Sequence, residues 1–284
     1  MPKLINRLPG QALRIGVSGF AVSLLKVSRW FGGRAELLAE QPFSPEDASL
    51  HHGHAHHAIG LALRELLAGQ DVQGWPVGFV LADELARMWQ VAPPELAARQ
   101  ADLEAAAALR FFSLYGEPAA NWKIAADWDT QAPFFAAAIQ RPLLATLEQA
   151  AAEHGMAVVE VLPHFVTAWN RWQGAVKAGA WFGQVHDNLL TLAIIDNKRL
   201  QAVRALPLPR GADQYWLAQT LKREALLAGL ETPQLLQLCG QVPPLLAKPA
   251  ANADQISCVA LGVALPGEDK WSLASVLARG GLAA

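Results

Sequence analysis

The chain has few charged residues and no excess of positive charge. Of its 284 residues, 17% are charged, and 23 Lys and Arg stand against 25 Asp and Glu, for a net charge of -2. It also lacks any lysine- or arginine-rich run. Because nucleic-acid binding depends on a basic surface that neutralises phosphates, the composition predicts that nucleic acid is not a partner.

Cysteine is also scarce. Only Cys239 and Cys258 are present, and they form no Cys-x-x-Cys pair. Small disulfide-stabilised domains need several cysteines, so this count excludes a disulfide framework and predicts two free thiols in a reducing compartment.

Long apolar runs are missing as well. No uninterrupted apolar stretch approaches the roughly 18 residues that a transmembrane helix requires. The first residues contain Arg7, Pro9 and Gly10 among their apolar positions, which interrupts the core that a signal peptide needs. We therefore expect no direct membrane insertion and a cytoplasmic location.

Apolar residues are nevertheless plentiful, and their spacing is repeated in the two halves of the chain. They make up 52% of the residues, enough for a large core. In each half, three strand patterns are followed by a helix pattern and then by a fourth strand pattern. In the first half these segments are 13–19, 20–27, 35–40, 55–67 and 75–81, and in the second half 181–185, 189–195, 200–206, 212–228 and 235–238.

The intervening and final segments are less clear. We predict a helix over 95–114 with Pro94 in its first turn, a strand over 122–128, a helix over 133–154, a strand over 157–162 and a helix over 163–172. Residues 257–265 fit a strand or a helix, and the last twenty residues are weakly patterned. The whole predicts a duplicated α/β protein with two lobes, residues 1–163 (with a small inserted subdomain at about 85–128) and 164–284.

This order of elements resembles the actin-like ATPase superfamily, whose two lobes each contain a ribonuclease H-like core. Within it, the chain is similar to PilM-type pilus-assembly proteins and to the cytoplasmic domain of GspL-type secretion proteins. The similarity extends over most of the chain and rests on Ile15-Gly16-Val17, Ala126-Asp127-Trp128, Val161-Leu162-Pro163, Ala168-Trp169-Asn170-Arg171, Val203-Arg204, Arg223-Glu224 and residues 259–265.

The resemblance directs attention to three turns that hold nucleotide in active members. The first has a DxGS pattern, in which the acid orients metal-bound water and the glycine lets backbone N–H groups approach a phosphate. Here Ser18 stands at the acid position, Gly19 follows it, and Phe20 stands where a bare glycine is expected. A serine cannot replace the carboxylate, and a phenylalanine fills the space of the phosphate.

The other two turns depart from the family pattern in the same way. Aligning the DxGxxxT motif on Thr191 places Val185 at the acid and Asp187 at the glycine. A carboxylate facing a phosphate 4 Å away is repelled by about 1 kcal/mol even in bulk water. The Gly-Gly turn beside the adenosine is reduced to Gly240. We therefore expect a degenerate nucleotide site, composed of Ser18, Gly19, Asp187, Thr191 and Gly240, and no bound cofactor.

A histidine cluster offers a second kind of site. Residues 51–57 contain five histidines, and His52 and His56 have the spacing that places two imidazoles on one helical face. Gly53 weakens a helix there, and no neighbouring acid or cysteine completes a ligand set. A solvated loop is the favoured interpretation, with metal binding through His52 and His56 as an open alternative.

These observations predict a non-enzymatic assembly protein of a type IV pilus or type II secretion apparatus, at the inner-membrane face. By resemblance, its partner would be a membrane-anchored assembly protein whose short cytoplasmic peptide enters a groove between lobes or subdomains. Formation of an oligomer remains open. The main alternative is an active ATPase or kinase, in which Asp127, Asp187 or Asp196 would approach Mg²⁺ bound with ATP.

Overall fold

The computed structural model describes residues 10–28, 35–43, 55–95, 97, 99–246, 256–262 and 271–279. The chain folds into two compact units. Unit 1 comprises residues 1–86, 139–171 and 263–284, and unit 2 comprises residues 87–138 and 172–262.

Thirteen strands and six helices are formed by the described residues. The strands are β1 (Gln11–Val17), β2 (Ala21–Ser28), β3 (Ala35–Pro42), β4 (Pro76–Leu81), β5 (Ala86–Val91), β6 (Trp122–Ala126), β7 (Phe134–Gln140), β8 (Ala157–Pro163), β9 (Ala180–His186), β10 (Leu189–Asp196), β11 (Arg199–Pro207), β12 (Leu235–Gly240) and β13 (Ser257–Ala260). The helices are α1 (Ala55–Leu67), α2 (Gln100–Tyr115), α3 (Arg141–Glu153), α4 (His164–Trp172), α5 (Gln214–Ala228) and α6 (Leu273–Arg279).

Two five-stranded sheets have the same strand order. In unit 1 the order is β3-β2-β1-β4-β8, and in unit 2 it is β11-β10-β9-β12-β13. In both sheets the first three strands in sequence pair antiparallel, and the next two continue the sheet in parallel. The duplicated α/β architecture predicted from the sequence is therefore present.

The sheet of unit 1 is covered by helices on both faces. Leu13, Ile15 and Val17 alternate toward a core shared with α1 and α3. On the opposite face α6 packs on β1 and β2, where the Ser23 hydroxyl donates to the Ala274 carbonyl at 2.7 Å. Gly16 allows this contact, because a Cβ there would stand 2.6 Å from the same carbonyl oxygen.

The second five-stranded sheet packs against α5, which has clear start and stop signals. The Asp213 carboxylate accepts the Trp216 N–H at 2.9 Å and caps the helix, and Gly229 ends it in a left-handed conformation. Leu217 and Leu221 of this helix lie in the core of unit 2. The predicted helix over 212–228 is confirmed.

A third sheet, of order β5-β7-β6, packs against α2 around an aromatic cluster. The Arg87 guanidinium lies over the rings of Tyr115 and Trp122, at 5.5 and 5.2 Å from their centroids. Glu117 accepts the Trp122 indole N–H at 3.1 Å and lies 3.6 Å from Arg87. Burial of the rings and pairing of the cation together stabilise this small layer.

Two predicted helices have different limits in the structure. The helix predicted over 95–114 begins at Gln100, because the Asp102 carboxylate accepts the Arg99 N–H at 3.0 Å and closes the helix start there. The helix predicted over 133–154 is β7 followed by α3. Alternate residues of β7 enter the aromatic core, and Pro142 marks the true helix start.

The end of the chain also differs from the expected pattern. The weakly patterned last twenty residues include α6, which the sequence analysis did not identify and which it assigned to lobe II. In the structure α6 belongs to unit 1, where the Ser272 and Ser275 hydroxyls both donate to the Glu40 carboxylate of β3. A helix of seven residues is too short to be stable alone, so these long-range contacts hold it in place.

Candidate functional site: three turns examined for nucleotide binding

The first turn joins β1 to β2, and its serine satisfies the turn internally. Ser18 is fully buried. Its hydroxyl donates to the Ala21 carbonyl at 2.8 Å and accepts the Ala21 N–H at 3.0 Å and the Phe20 N–H at 3.4 Å. The backbone N–H groups that would bind a phosphate in an active turn are therefore directed at the protein's own side chain.

A carboxylate that the sequence analysis did not single out lies beside this turn. Glu84 Oε1 is 3.9 Å from the position that a Cβ on Gly19 would occupy. Glu84 is brought there because β4 runs parallel to β1, and the Ala82 N–H donates to the Val17 carbonyl at 2.9 Å. The sequence does carry a signal for Glu84, because it comes shortly after a buried parallel strand, where acids in α/β folds are frequently functional.

The neighbouring acid, Asp83, has a structural partner. It is buried, and its carboxylate accepts the Phe165 N–H at 2.9 Å, at the start of α4. Among the residues that the structure describes, no three His, Cys, Asp or Glu side chains are grouped closely enough to hold a metal ion. The described residues around Glu84 therefore do not form a complete carboxylate ligand set for Mg²⁺.

The second turn, between β9 and β10, carries a carboxylate at its tip. Asp187 is exposed and has φ +50°, in the left-handed region that a glycine would adopt without strain. Its Oδ1 accepts the Asn188 side-chain N–H at 3.2 Å. Thr191 lies within β10, fully buried and opposite Gln184, so its position is inside the sheet.

His186 is the last residue of β9 and is also buried. Burial lowers its pKa to about 4 from the ordinary 6.5, although the Asp187 carboxylate acts in the opposite direction. The imidazole is therefore neutral at pH 7 and offers no positive charge to a phosphate.

We predict that His186 makes the protein less stable in mild acid. Below pH 6.5 the unfolded chain binds a proton at this residue, while the folded chain resists protonation until about pH 4, so stability falls as the pH falls through that window. At pH 5 the loss from this group is about 2 kcal/mol. In His186→Gln the difference in the free energy of unfolding between pH 7.5 and pH 5 should shrink by that amount.

Urea unfolding at the two pH values measures this difference. The control is Gln219→Asn, because Gln219 is exposed on α5 and does not titrate. It should keep the pH dependence of the parent protein. An equal pH dependence in the parent and in His186→Gln would contradict the prediction.

The third turn contains Gly240, which lies next to the base of the second turn. Gly240 pairs with Val185 in the parallel ladder between β12 and β9 and has φ +86°. A Cβ at this position would stand 2.1 Å from the Val185 carbonyl oxygen, which also accepts the Gln241 N–H at 3.0 Å. Gly240 is thus explained by the close approach of two strands.

The five predicted site residues are distributed over both units. Ser18 and Gly19 lie together in unit 1, and Asp187, Thr191 and Gly240 lie in unit 2.

The histidine cluster lies partly outside the described residues. His52 is among those left undescribed, whereas His56 is half-buried near the start of α1. With His57, Arg64 and Glu153, His56 lines a cavity of about 160 Å³ between α1 and α3. Arg64 and Glu153 approach to 4.0 Å across it.

Asp196, which is named for the ATPase alternative, and Asp129, two positions after Asp127, make local side-chain hydrogen bonds. Asp129 Oδ1 accepts the N–H groups of Gln131 and Ala132, at 2.7 and 3.2 Å, directly after Asp127 and Trp128. Asp196 accepts the side-chain N–H of Asn197 at 3.0 Å in the turn between β10 and β11. The bonds of Asp129 to two backbone N–H groups are typical of a turn closed by an acidic side chain.

The chain matches no family model and no curated protein sequence. Solved structures do match it. The cytoplasmic domain of EpsL, an inner membrane component of the type II secretion system of Vibrio cholerae, is 14% identical with a TM-score of 0.59, covering 95% of this chain and 94% of that one. The PilM–PilN type IV pilus biogenesis complex is 16% identical with a TM-score of 0.58, covering 81% of each chain.

A third solved structure that matches the chain is described by its fold. It is a protein of Bacteroides thetaiotaomicron with an actin-like ATPase fold and unknown function, 10% identical with a TM-score of 0.57, covering 94% of this chain and 95% of that one. Similarity at this level of identity demonstrates a shared architecture, and it confirms the resemblance inferred from the sequence. The chain has the α/β actin-like ATPase fold, in common with structures of PilM-type and EpsL-type proteins.

Proposed function

We propose that the chain is a non-enzymatic assembly protein of a bacterial type IV pilus or type II secretion apparatus. In this role it would work in the cytoplasm, at the inner-membrane face, and bind a short peptide of a membrane-anchored partner. Support comes from the fold it shares with the EpsL cytoplasmic domain and with the PilM–PilN complex.

The observation that carries the non-enzymatic part is the internal bonding of the first turn. The Ser18 hydroxyl accepts two backbone N–H groups, of Phe20 and Ala21, that a phosphate would otherwise bind. A nucleotide would have to break these bonds and also bring its negative charge close to Glu84. Both effects oppose binding, and the second turn adds the carboxylate of Asp187 at its tip.

An exposed apolar face on α2 supports the partner-binding part. One side of this helix, with Leu103, Ala107 and Phe111, packs into the aromatic core. Leu109 and Phe112, three residues apart, are exposed on another side. Side chains at this spacing share one helical face and suit an apolar segment laid along it.

Titration calorimetry on the purified chain tests this function. Mg²⁺-ATP at millimolar concentration should give no saturable heat. A synthetic peptide copying the cytoplasmic tail of a membrane-anchored assembly protein encoded beside this chain should bind, and Leu109→Ser/Phe112→Ser should weaken its binding at least tenfold. Each leucine or phenylalanine removed from an interface costs about 1 kcal/mol or more.

Two results would contradict the proposal. Micromolar binding of Mg²⁺-ATP, with turnover that is lost in Glu84→Gln, would establish the ATPase or kinase alternative. Failure of every such tail peptide to bind would remove the partner-binding role.

A further inference from the structure

The outward face of α5 carries the two most exposed large apolar side chains among the described residues. Leu226 is 81% exposed and Tyr215 is 73% exposed, and Leu227 beside Leu226 is 67% exposed. The opposite face of the helix, with Leu217 and Leu221, already fills the core of unit 2. The outward apolar side chains therefore contribute nothing to that core and leave apolar area in water.

These apolar side chains lie at the two ends of one exposed stripe along the helix. Tyr215 and Leu226 are eleven positions apart, which is three helical turns, so they share one face and span about 17 Å. Between them on the same side are exposed polar positions. The six exposed residues of this helix are together called the α5 ridge: Tyr215, Gln219, Lys222, Arg223, Leu226 and Leu227.

The ridge is positively charged. Lys222 and Arg223 lie on it, and no exposed residue of α5 is acidic. The one carboxylate of the helix, Glu224, is buried and contacts both Arg223, at 2.8 Å, and Arg204, at 3.6 Å. Two guanidinium groups thus surround a single carboxylate, and with Lys222 an excess of positive charge remains at this surface.

The two acids nearest to α5 in the sequence lie beyond its ends. Asp213 is bound to the Trp216 N–H as the N-terminal cap, where the positive end of the helix dipole offsets its charge. Glu231 follows Gly229, which ends the helix. The middle and the C-terminal half of the ridge therefore combine cations with leucines and carry no exposed acid.

We propose that the α5 ridge binds an anionic membrane surface. The ridge places two cations beside two exposed leucines, and an anionic bilayer surface offers both headgroup charge and an apolar boundary to such a pairing. Leu226 and Leu227 enter the boundary between headgroups and acyl chains, Tyr215 lies at the interface, and Lys222 and Arg223 meet anionic headgroups.

This contact is peripheral and parallel to the membrane plane. No described helix is long and apolar enough to cross a membrane, and the helix is fixed to unit 2 by its buried face. The inference adds a direct surface contact to the expected attachment through a partner. The proposed membrane contact depends only on the ridge, so the nucleotide and peptide titrations do not test it.

Vesicle flotation of the purified chain tests the proposal. Vesicles of phosphatidylcholine with 40% phosphatidylglycerol should carry the protein, and vesicles of phosphatidylcholine alone should not. Leu226→Ser/Leu227→Ser should lower the partition coefficient at least tenfold, because two inserted apolar side chains are removed. Lys222→Gln should lower it about fivefold, which is the contribution of one basic residue near an anionic surface.

The control is Leu61→Ser/Val159→Ser, because Leu61 and Val159 are exposed apolar residues that lie outside the α5 ridge and outside the face of α2 proposed for the partner. This variant should float like the parent chain. The proposal is overturned if the parent chain fails to float with anionic vesicles, if neutral vesicles carry it equally well, or if the control loses as much binding as the ridge variant. Flotation of Leu226→Ser/Leu227→Ser at the parental level also overturns the proposal. This holds even if the ridge is then found to bind an acidic protein segment.

Discussion

Gly240→Ala is expected to destabilise the protein by about 3 to 5 kcal/mol. The new Cβ would stand 2.1 Å from the Val185 carbonyl oxygen and 3.1 Å from its carbon, and these are backbone atoms that cannot rotate away. The end of β12 would have to separate from β9, with loss of the hydrogen bond from the Gln241 N–H to the Val185 carbonyl. A left-handed φ of +86° adds a further cost for any residue with a Cβ.

Gly211→Ala is the matched control for this change. Gly211 also lies in unit 2 and has φ +78°, but a Cβ there would meet no atom of the described residues within 4 Å. Its expected cost is only that of the left-handed conformation, about 1 kcal/mol. Urea unfolding followed by circular dichroism and tryptophan fluorescence measures both variants. If the two lose equal stability, the close approach of the strands does not explain Gly240.

Segments with strong local signals are predicted closely by the sequence. The bounds of α1 match the predicted 55–67, since its apolar spacing is helical and Gly69 follows its end. The first three strands of each five-stranded sheet are also predicted close to their observed bounds, because glycine and polar turns separate short apolar runs. These features depend on residues that are neighbours in the chain.

Other segments could not be predicted, because distant residues determine them. In β7 the run Phe134 to Ala138 is rich in alanine, which favours a helix, yet burial of alternate residues against the aromatic core imposes a strand. The helix α6 is held by β1, β2 and Glu40, which lie more than 200 positions earlier. Local propensity carries no information about such contacts.

The candidate site shows the same division between local and distant effects. The sequence alone shows that the three turns lack the acid and the glycines of the family motifs. The hydroxyl of Ser18 bound to its own turn and the position of Glu84 near Gly19 require the folded backbone. These structural details strengthen the hypothesis of a vestigial nucleotide site, since they add an occupied turn and an adjacent carboxylate to the missing motif residues.

Glycines near these turns have packing roles that are independent of nucleotide. Gly240 accommodates the Val185 carbonyl, and Gly16, two positions before Ser18, accommodates the backbone of α6. In each case protein atoms fill the space that the absence of a side chain creates. These glycines are therefore no evidence that the neighbouring turns bind phosphate.

Gly16→Ala should accordingly release α6 and destabilise unit 1 by about 2 to 4 kcal/mol. The added Cβ would stand 2.6 Å from the Ala274 carbonyl oxygen, 2.8 Å from the Ala278 nitrogen and 2.9 Å from the Ala278 Cβ. Relief requires the helix to move off the sheet, which also breaks the hydrogen bond from the Ser23 hydroxyl to the Ala274 carbonyl. Hydrogen exchange followed by mass spectrometry should show loss of protection in residues 273–279.

Gly19→Ala, in the turn that follows β1, is the control for that experiment. A Cβ on Gly19 would meet only Glu84 Oε1, at an ordinary contact distance of 3.9 Å, so its expected cost is below about 1 kcal/mol and protection of α6 should be unchanged. Unchanged protection of residues 273–279 in Gly16→Ala would show that α6 does not depend on a bare backbone at this strand. Loss of protection in Gly16→Ala alone would establish that Gly16 is needed for helix docking, whether or not any nucleotide binds.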